Sequence, residues 1–441
     1  MTTRPIFIFL ILLVFGAPVR AADQPDSHSL AIRAARLFDG RSGKLIQNAV
    51  ILVDGDRIRD VGSGIPIPEG TRIIDLGAST LLPGFIDSHT HLTGQASEDW
   101  LQGTLDSLRR GVPEKAVRST DYARKTLMAG FTTVRDVGSE EFIDVGLRNA
   151  INARAVPGPL MLVAAGSLGS RGGHCDWTGF PYETFGKEPG IAEGIASGAD
   201  QFRDAVRFLV KYGADVIKVC ATGGVLSLSD EVDTPQLIQE EMDALVDEAH
   251  RLRKTTAAHA HGAEGAKVAI RAGIDSIEHG SFLDREAFRM MKERGTYLVP
   301  TLMASEYTGG GHAPQNYPPE IAEKAHAAAQ AHSNAFRLAL KMGVKIAFGT
   351  DSGVSPHGLN AEEFALMVDR GMDPAQALLS ATSVAAELLG LEEDLGTLEA
   401  GKRANIIAVP ADPVSDIRVT EKVHFVMKDG IVVRNGVSEL P

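Results

Sequence analysis

Two short patterns in this chain place imidazoles in pairs. Side chains at i and i+2 of a strand share a face. His89-Thr90-His91 and His259-Ala260-His261 would therefore each present two imidazoles together. Imidazole is the commonest metal-binding side chain and suits Zn, Fe or Ni. Three further residues have the right chemistry: Lys218 in Asp215-Val-Ile-Lys-Val-Cys-Ala221, His279 ending Ile277-Glu-His-Gly280, and Asp351 ending Ala347-Phe-Gly-Thr-Asp351. A lysine almost never lies buried in an apolar strand without a partner. Burial lowers its pKa. A neutral amine can add carbon dioxide and become a carbamate, an anionic ligand with two oxygens. Taken singly, each has a plainer reading. The histidines could be structural, Lys218 a strand-end lysine snorkelling into solvent, and Asp351 a helix cap.

The elements that would position these residues alternate between strand and helix. Eight apolar strand candidates lie near residues 82–87, 131–135, 160–165, 215–220, 255–259, 274–278, 296–300 and 345–349. Helical patterns separate most of them, among them Ala199–Tyr212, Ile238–Lys254, Ala263–Ala272, Asp284–Arg294 and Glu320–Met342. Such alternation predicts a parallel sheet, and eight strands fit an α/β fold of the (β/α)8 TIM-barrel type. An open doubly wound sheet competes, but no GxGxxG follows the first strand. In a barrel the C-terminal strand ends face the active site. All the candidates sit at such ends, so their plainer readings weaken together.

The two chain ends differ in texture from the middle. Residues 30–82 and 404–436 read as short strands with turns, and Asp429-Gly430 between apolar runs is a hairpin signal. The expected organisation is a signal peptide at 1–21 and a barrel at 83–400. A small β-sandwich domain is expected from 22–82 and 401–441. Arg4, the apolar run Ile6–Phe15 and the small-residue site at Val19 and Ala21 carry the signal-peptide expectation. It implies a periplasmic or secreted protein with no stable membrane anchor after cleavage.

Across 441 residues, the hydrophobic fraction of 44% and charged fraction of 23% are ordinary for a globular protein. The net charge of −13 without a basic stripe argues against nucleic acid as a partner. Cys175 and Cys220 are too few for a cysteine-based zinc site. Spacing alone does not decide whether they are bonded.

These residues together resemble the amidohydrolase superfamily. The similarity is to its imidazolonepropionase-like branch, with the Xaa-Pro and Xaa-Arg/Lys dipeptidases and ochratoxinase-like amidases. It covers nearly all of the chain after residue 21. The resemblance implies a binuclear metal centre, usually zinc. His89 and His91 would bind one ion and His259 and His279 the other, with a carboxylated Lys218 bridging and Asp351 added from strand eight. Imidazolonepropionases carry a His-Ala-x-Glu turn at strand five and no bridging lysine. Here His259-Ala260-His261-Gly262 and Lys218 stand instead, which favours the peptidase-like members. Asp351 would move the proton between water and the leaving amine, and His261 would donate to the developing oxyanion.

The glycine-rich loop Gly166–Phe180 follows strand three. Arg171 or His174 could hold a substrate carboxylate, and Trp177 an apolar side chain. Thr222-Gly-Gly-Val225 could form an anion nest. The segment 309–337 would be a lid carrying His312, His326 and His332 on its exposed side. The expected substrate is a small molecule or dipeptide with a free carboxylate. A broader amidase or lactonase, including one acting on amide-linked toxins such as ochratoxin, stays open. So do a non-catalytic periplasmic metal-binding protein and a homo-oligomeric state.

Overall fold

The computed structural model describes residues 29–436 apart from 183, 185 and 315. The signal segment 1–21 lies outside the described residues. No helix among the described residues is long and apolar enough to cross a membrane.

The two chain ends meet in one eight-stranded sheet. The strand Thr80–Pro83 pairs antiparallel with Ile406–Val409, with Leu81 opposite Ala408. The hairpin Phe425–Lys428 to Ile431–Asn435 turns through Asp429 and Gly430, both at positive φ, 49° and 73°. Two successive positive φ values are what a two-residue hairpin turn needs to match strand twist, and Asp-Gly supplies them cheaply.

The middle of the chain carries two parallel sheets. Phe85–Thr90, Phe131–Asp136 and Leu160–Val163 form the first. The second runs Ile195–Ala196, Ser167–Ser170, Val216–Cys220, Thr255–Gly262, Ser276–Phe282 and Tyr297–Val299. Near-continuous burial of these strands is the mark of a sheet covered on both faces. Asp215 N–H donates to Val163 O at 2.7 Å, joining one sheet to the other.

The eighth expected strand is not a regular ladder strand. Its segment touches its neighbours through single bridges, Leu298 to Ile346 and Thr90 to Ser352. Ser88 N–H donates to Phe348 O at 2.9 Å and Asp351 N–H to His89 O at 2.8 Å. A side chain interrupts the ladder. Thr350 N–H and Oγ1 donate to the buried Asp87 carboxylate at 3.2 and 2.6 Å. Asp351 then takes φ 60° and ends the extended run.

The helix Pro319–Met342 buries Ile321, Ala325, Ala328, His332, Ala335, Phe336 and Ala339 along one stripe. Lys324 knots it to the loop 223–230, donating to Gly224 O at 2.9 Å and Ser227 O at 2.5 Å. The expected lid segment is thus packed in place along this helix.

Gly349 fixes how closely the eighth segment approaches the first strand. A Cβ there would lie 2.3 Å from Val299 Cγ1 and 3.0 Å from His89 Cβ. Gly349→Ala is expected to lower stability by about 1–3 kcal/mol, the usual cost of overpacking, as read by urea denaturation. An unchanged midpoint would contradict this packing.

Candidate active site

The imidazoles gather because their strands end together. His89 and His91 keep the shared face expected of i and i+2. His279 adopts φ 69°. Its bend breaks strand alternation, so Glu278 and His279 both reach the same interior. Left-handed backbone is uncommon outside glycine, with His and Asp among the residues that tolerate it better. Such conformations persist where the surrounding structure holds them.

Ligating atoms of His89, His91 and Asp351 lie within 4.8 Å of one another, and so do those of His259, His261 and His279. The groups adjoin: the His89 and His279 ring centres are 5.0 Å apart. Lys218 lines the same cavity of about 260 Å³. It is 3% exposed, and no carboxylate of the described residues comes within ion-pairing distance of its Nζ. Burial brings its amine down to about 8, which leaves a useful neutral fraction near neutral pH.

Hydrogen bonds fix which nitrogen of each ring faces inward. His89 Nδ1 lies 2.7 Å from Glu278 Oε2, and His91 Nδ1 lies 3.0 Å from Gly138 O. A carbonyl or a carboxylate can only accept, so each Nδ1 carries the proton. Each ring then turns its Nε2 toward Asp351 Oδ1, at 3.5 Å from His89 and 3.2 Å from His91. Asp351 Oδ1 is buried and makes no well-aligned hydrogen bond. Two imidazole nitrogens converging on a buried carboxylate oxygen form a donor set that fits a cation between them. His259 Nε2 donates to Gly223 O at 3.2 Å, leaving its Nδ1 lone pair free for a ligand. His279 Nδ1 and His261 Nδ1 are held by the hydroxyls of Thr301 and Ser281, at 2.8 and 2.9 Å.

Burial, with neighbouring imidazoles adding to it, holds His259 and His279 well below the usual histidine range. Burial likewise takes His261 to about 3 and His174 to about 4. These rings are neutral at pH 7 and can donate lone pairs. Burial opposes ionisation of Asp351, but His89 and His91 outweigh it and hold the carboxyl well below its ordinary value.

The substrate-loop residues separate. His174 lines the histidine cavity, its ring 4.3 Å from that of His259. Trp177 lines outer cavities instead. Arg171 is not brought to the site: its side chain is 65% exposed and pairs with Glu188 at 3.4 Å. The Thr222–Val225 turn has spent two of its donors, Gly223 N–H on Thr234 O and Gly224 N–H on Asp230 Oδ2. His312 and His326 are exposed, but His332 is 2% exposed and lines the cavity. Its place on the buried stripe, four residues after Ala328, is the signal that locates it.

Sequence reasoning passed over the layer beneath the histidines. Arg135 Nη2 donates to Glu278 Oε1 at 2.9 Å and Arg135 Nε to Ser88 O at 2.6 Å, all fully buried. The argument that singled out Lys218, a charge inside an apolar strand, applies equally to Arg135 in Phe131–Asp136. Cys175 and Cys220 form a disulfide that ties the Gly166–Phe180 loop to the Lys218 strand.

A model of the amidohydrolase family matches residues 80–433. The chain belongs to that family. This amidohydrolase is 31% identical over 436 residues to ochratoxinase from Aspergillus niger, covering 94% of this chain and 88% of that one. It is 25% identical over 383 residues to imidazolonepropionase from Cutibacterium acnes, covering 83% and 85%. A crystal structure of a Xaa-Pro dipeptidase with methionine bound in its active site superposes with a TM-score of 0.88 at 40% identity, covering 92% of this chain and all of that one. The amidohydrolase is thus a hydrolase of carbon–nitrogen bonds with α/β content, and its fold neighbours are amidohydrolases of the TIM-barrel type.

Burial would raise the Glu278 carboxyl, but Arg135 and His89 hold it at about 2. A group depressed in the folded state stabilises above its unfolded value of 4.5 and loses that contribution as pH falls toward 2. Glu278→Gln leaves Arg135 buried and unpaired, so a loss of roughly 3–5 kcal/mol is expected at pH 7. The gap to wild type should narrow from pH 4.5 to pH 3 in denaturation experiments. A pH-independent gap would contradict the ion pair's role.

Proposed function

We propose that this amidohydrolase cleaves the amide bond of dipeptide-like substrates bearing a free carboxylate, using two divalent cations, zinc by donor type. The carrying observation is the convergence of imidazole nitrogens on Asp351 Oδ1 inside a cavity of about 260 Å³. That volume is slightly under the ~300 Å³ at which pockets for drug-sized ligands begin, and suits one amino-acid residue with its amide. The relative with methionine in its active site supports an amino-acid-sized occupant with a free carboxylate.

In this reading His89, His91 and Asp351 would hold one cation and His259 and His279 the other, and Lys218 as its carbamate would complete the donor set. Bound cations would polarise the scissile carbonyl and acidify a water near neutral pH. Asp351 takes the proton of the attacking water and returns it to the leaving nitrogen. His261, neutral and braced by Ser281, presents its Nε2 face to the cavity and donates to the carbonyl oxygen as charge develops. His174, at the cavity rim, meets the substrate carboxylate. Arg135 and Glu278 keep the His89 ring in one tautomer and one orientation.

The same reading joins Phe85–Thr90, Phe131–Asp136, Leu160–Val163, Val216–Cys220, Thr255–Gly262, Ser276–Phe282, Tyr297–Val299 and the 345–352 segment into one closed eight-stranded barrel. The bonds between Asp215 and Val163, Leu298 and Ile346, and Ser88 and Phe348 support it. It also folds the end sheet into a sandwich, since Ile32, Ile51, Ile406 and Phe425 share one core. The Cys175–Cys220 bridge supports a periplasmic or secreted location, where disulfides persist. A broader amidase is the second reading, favoured by the similarity to ochratoxinase.

Metal-loaded protein is expected to hydrolyse a subset of a dipeptide panel and to lose most activity on the C-amidated forms. Equal rates on both would remove the carboxylate from the account. Asp351→Asn is expected to lower kcat by about 10²–10⁴-fold, and near-normal turnover would exclude Asp351 as the proton carrier.

A further inference from the structure

A larger chamber of about 950 Å³ lies outside the histidine cavity. The two share Ser167, His174 and Leu226 in their walls, so they adjoin at that rim. A group too long for the inner cavity can pass these three residues into the chamber. The outer walls are rich in apolar surface. Trp177, Phe180, Leu108 and Leu228 line them while remaining 43%, 39%, 50% and 40% exposed. Large apolar side chains clustered this way mark a binding surface.

Charge in the chamber is one-sided. Glu140, Glu141, Asp176 and Glu193 line it against the single ammonium of Lys187. Lys187 pairs with Glu193, and Lys115 outside the wall pairs with Glu140, which leaves Glu141 and Asp176 without an ammonium at ion-pairing distance among the described residues. A free carboxylate placed here would be repelled. The inner cavity, which in the proposed reading would hold two cations, is the place for that end of a substrate.

The wall bearing Trp177 is built in advance. Cys175 is bonded to Cys220 on the Lys218 strand. His174 N–H donates to Gln236 Oε1 at 2.9 Å, and Gly172 N–H and Trp177 N–H donate to Asp176 at 2.7 Å each. A wall already held in its bound shape spends little ordering entropy on binding.

We propose that the outer chamber is the acyl-side subsite of this enzyme and takes a bulky, uncharged, apolar or aromatic group. This rests on the amide-hydrolase reading and narrows it: the substrate is an amino acid N-acylated by such a group. Its carboxylate end lies in the histidine cavity and its acyl end between Trp177 and Leu228.

The chain has two tryptophans, Trp100 and Trp177, and both line this chamber. Energy transfer from tryptophan therefore reports on it without any turnover. In the metal-loaded protein the neutral probe N-phenyl-1-naphthylamine should show tryptophan-sensitised emission. Its anionic counterpart 8-anilinonaphthalene-1-sulfonate should bind at least about tenfold more weakly. Trp177→Ala should weaken N-phenyl-1-naphthylamine about tenfold. In parallel, benzoyl, acetyl and succinyl derivatives of one amino acid are compared as substrates. The benzoyl form should lead in kcat/KM and the succinyl form should trail. Trp177→Ala should raise KM for the benzoyl form about tenfold and leave the acetyl form within twofold, which also shows that the variant is folded. Equal probe binding by wild type and Trp177→Ala, or equal kcat/KM for the three acyl groups, would overturn the subsite. Probe binding as expected with no acyl amino acid cleaved would instead overturn the amide-hydrolase reading and leave the chamber as a neutral-ligand site.

Discussion

A buried imidazole nitrogen can meet a carboxylate oxygen only when positive charge stands between them, as a proton or a metal ion. In this amidohydrolase His89 and His91 do so at Asp351 Oδ1, with their Nδ1 protons committed to Glu278 and Gly138 on the far side. Asp351 and His89 are buried, so the contact lies largely away from bulk water. Electrostatic interactions grow in a low-dielectric interior. The site is therefore poised around positive charge, and much of the nearby structure serves to keep those nitrogens convergent.

The supports come from different levels of the fold. Asp87 replaces part of a strand ladder with side-chain bonds to Thr350 and Asn360, and so sets the depth of Asp351. The left-handed turns at His279 and Asp351 aim side chains that a regular strand would send outward. Arg135 and Glu278 fill the floor with a buried ion pair. Such a pair is weak evidence for stability, since desolvation offsets its attraction. Its use here is orientation, because Glu278 accepts from the imidazole that faces Asp351.

The histidine pairs were legible in sequence because a period of two is a strong geometric rule. Lys218 was legible because a charge in an apolar strand demands a reason. His279 and Asp351 were found by their position at strand ends, but their backbone turns were not foreseen, since no local pattern encodes a positive φ at His or Asp. Arg135 and Glu278 escaped notice although their signal was the same as that of Lys218. His332 was placed on the wrong face because its histidine spacing was considered and its helical phase with Ala325 and Ala328 was not. Arg171 shows the limit of composition. An arginine in a binding loop attracts attention, but the loop's hydrogen bonds and the Cys175–Cys220 link turn it toward Glu188 instead.

The central claim is that metal ions belong where these nitrogens and the Asp351 oxygen meet. The most direct test is the divalent metal content of the purified protein, measured by inductively coupled plasma mass spectrometry after exposure to zinc and bicarbonate and removal of loosely held ions. Two tightly held metals per chain are predicted. A folded protein that retains none would contradict the account.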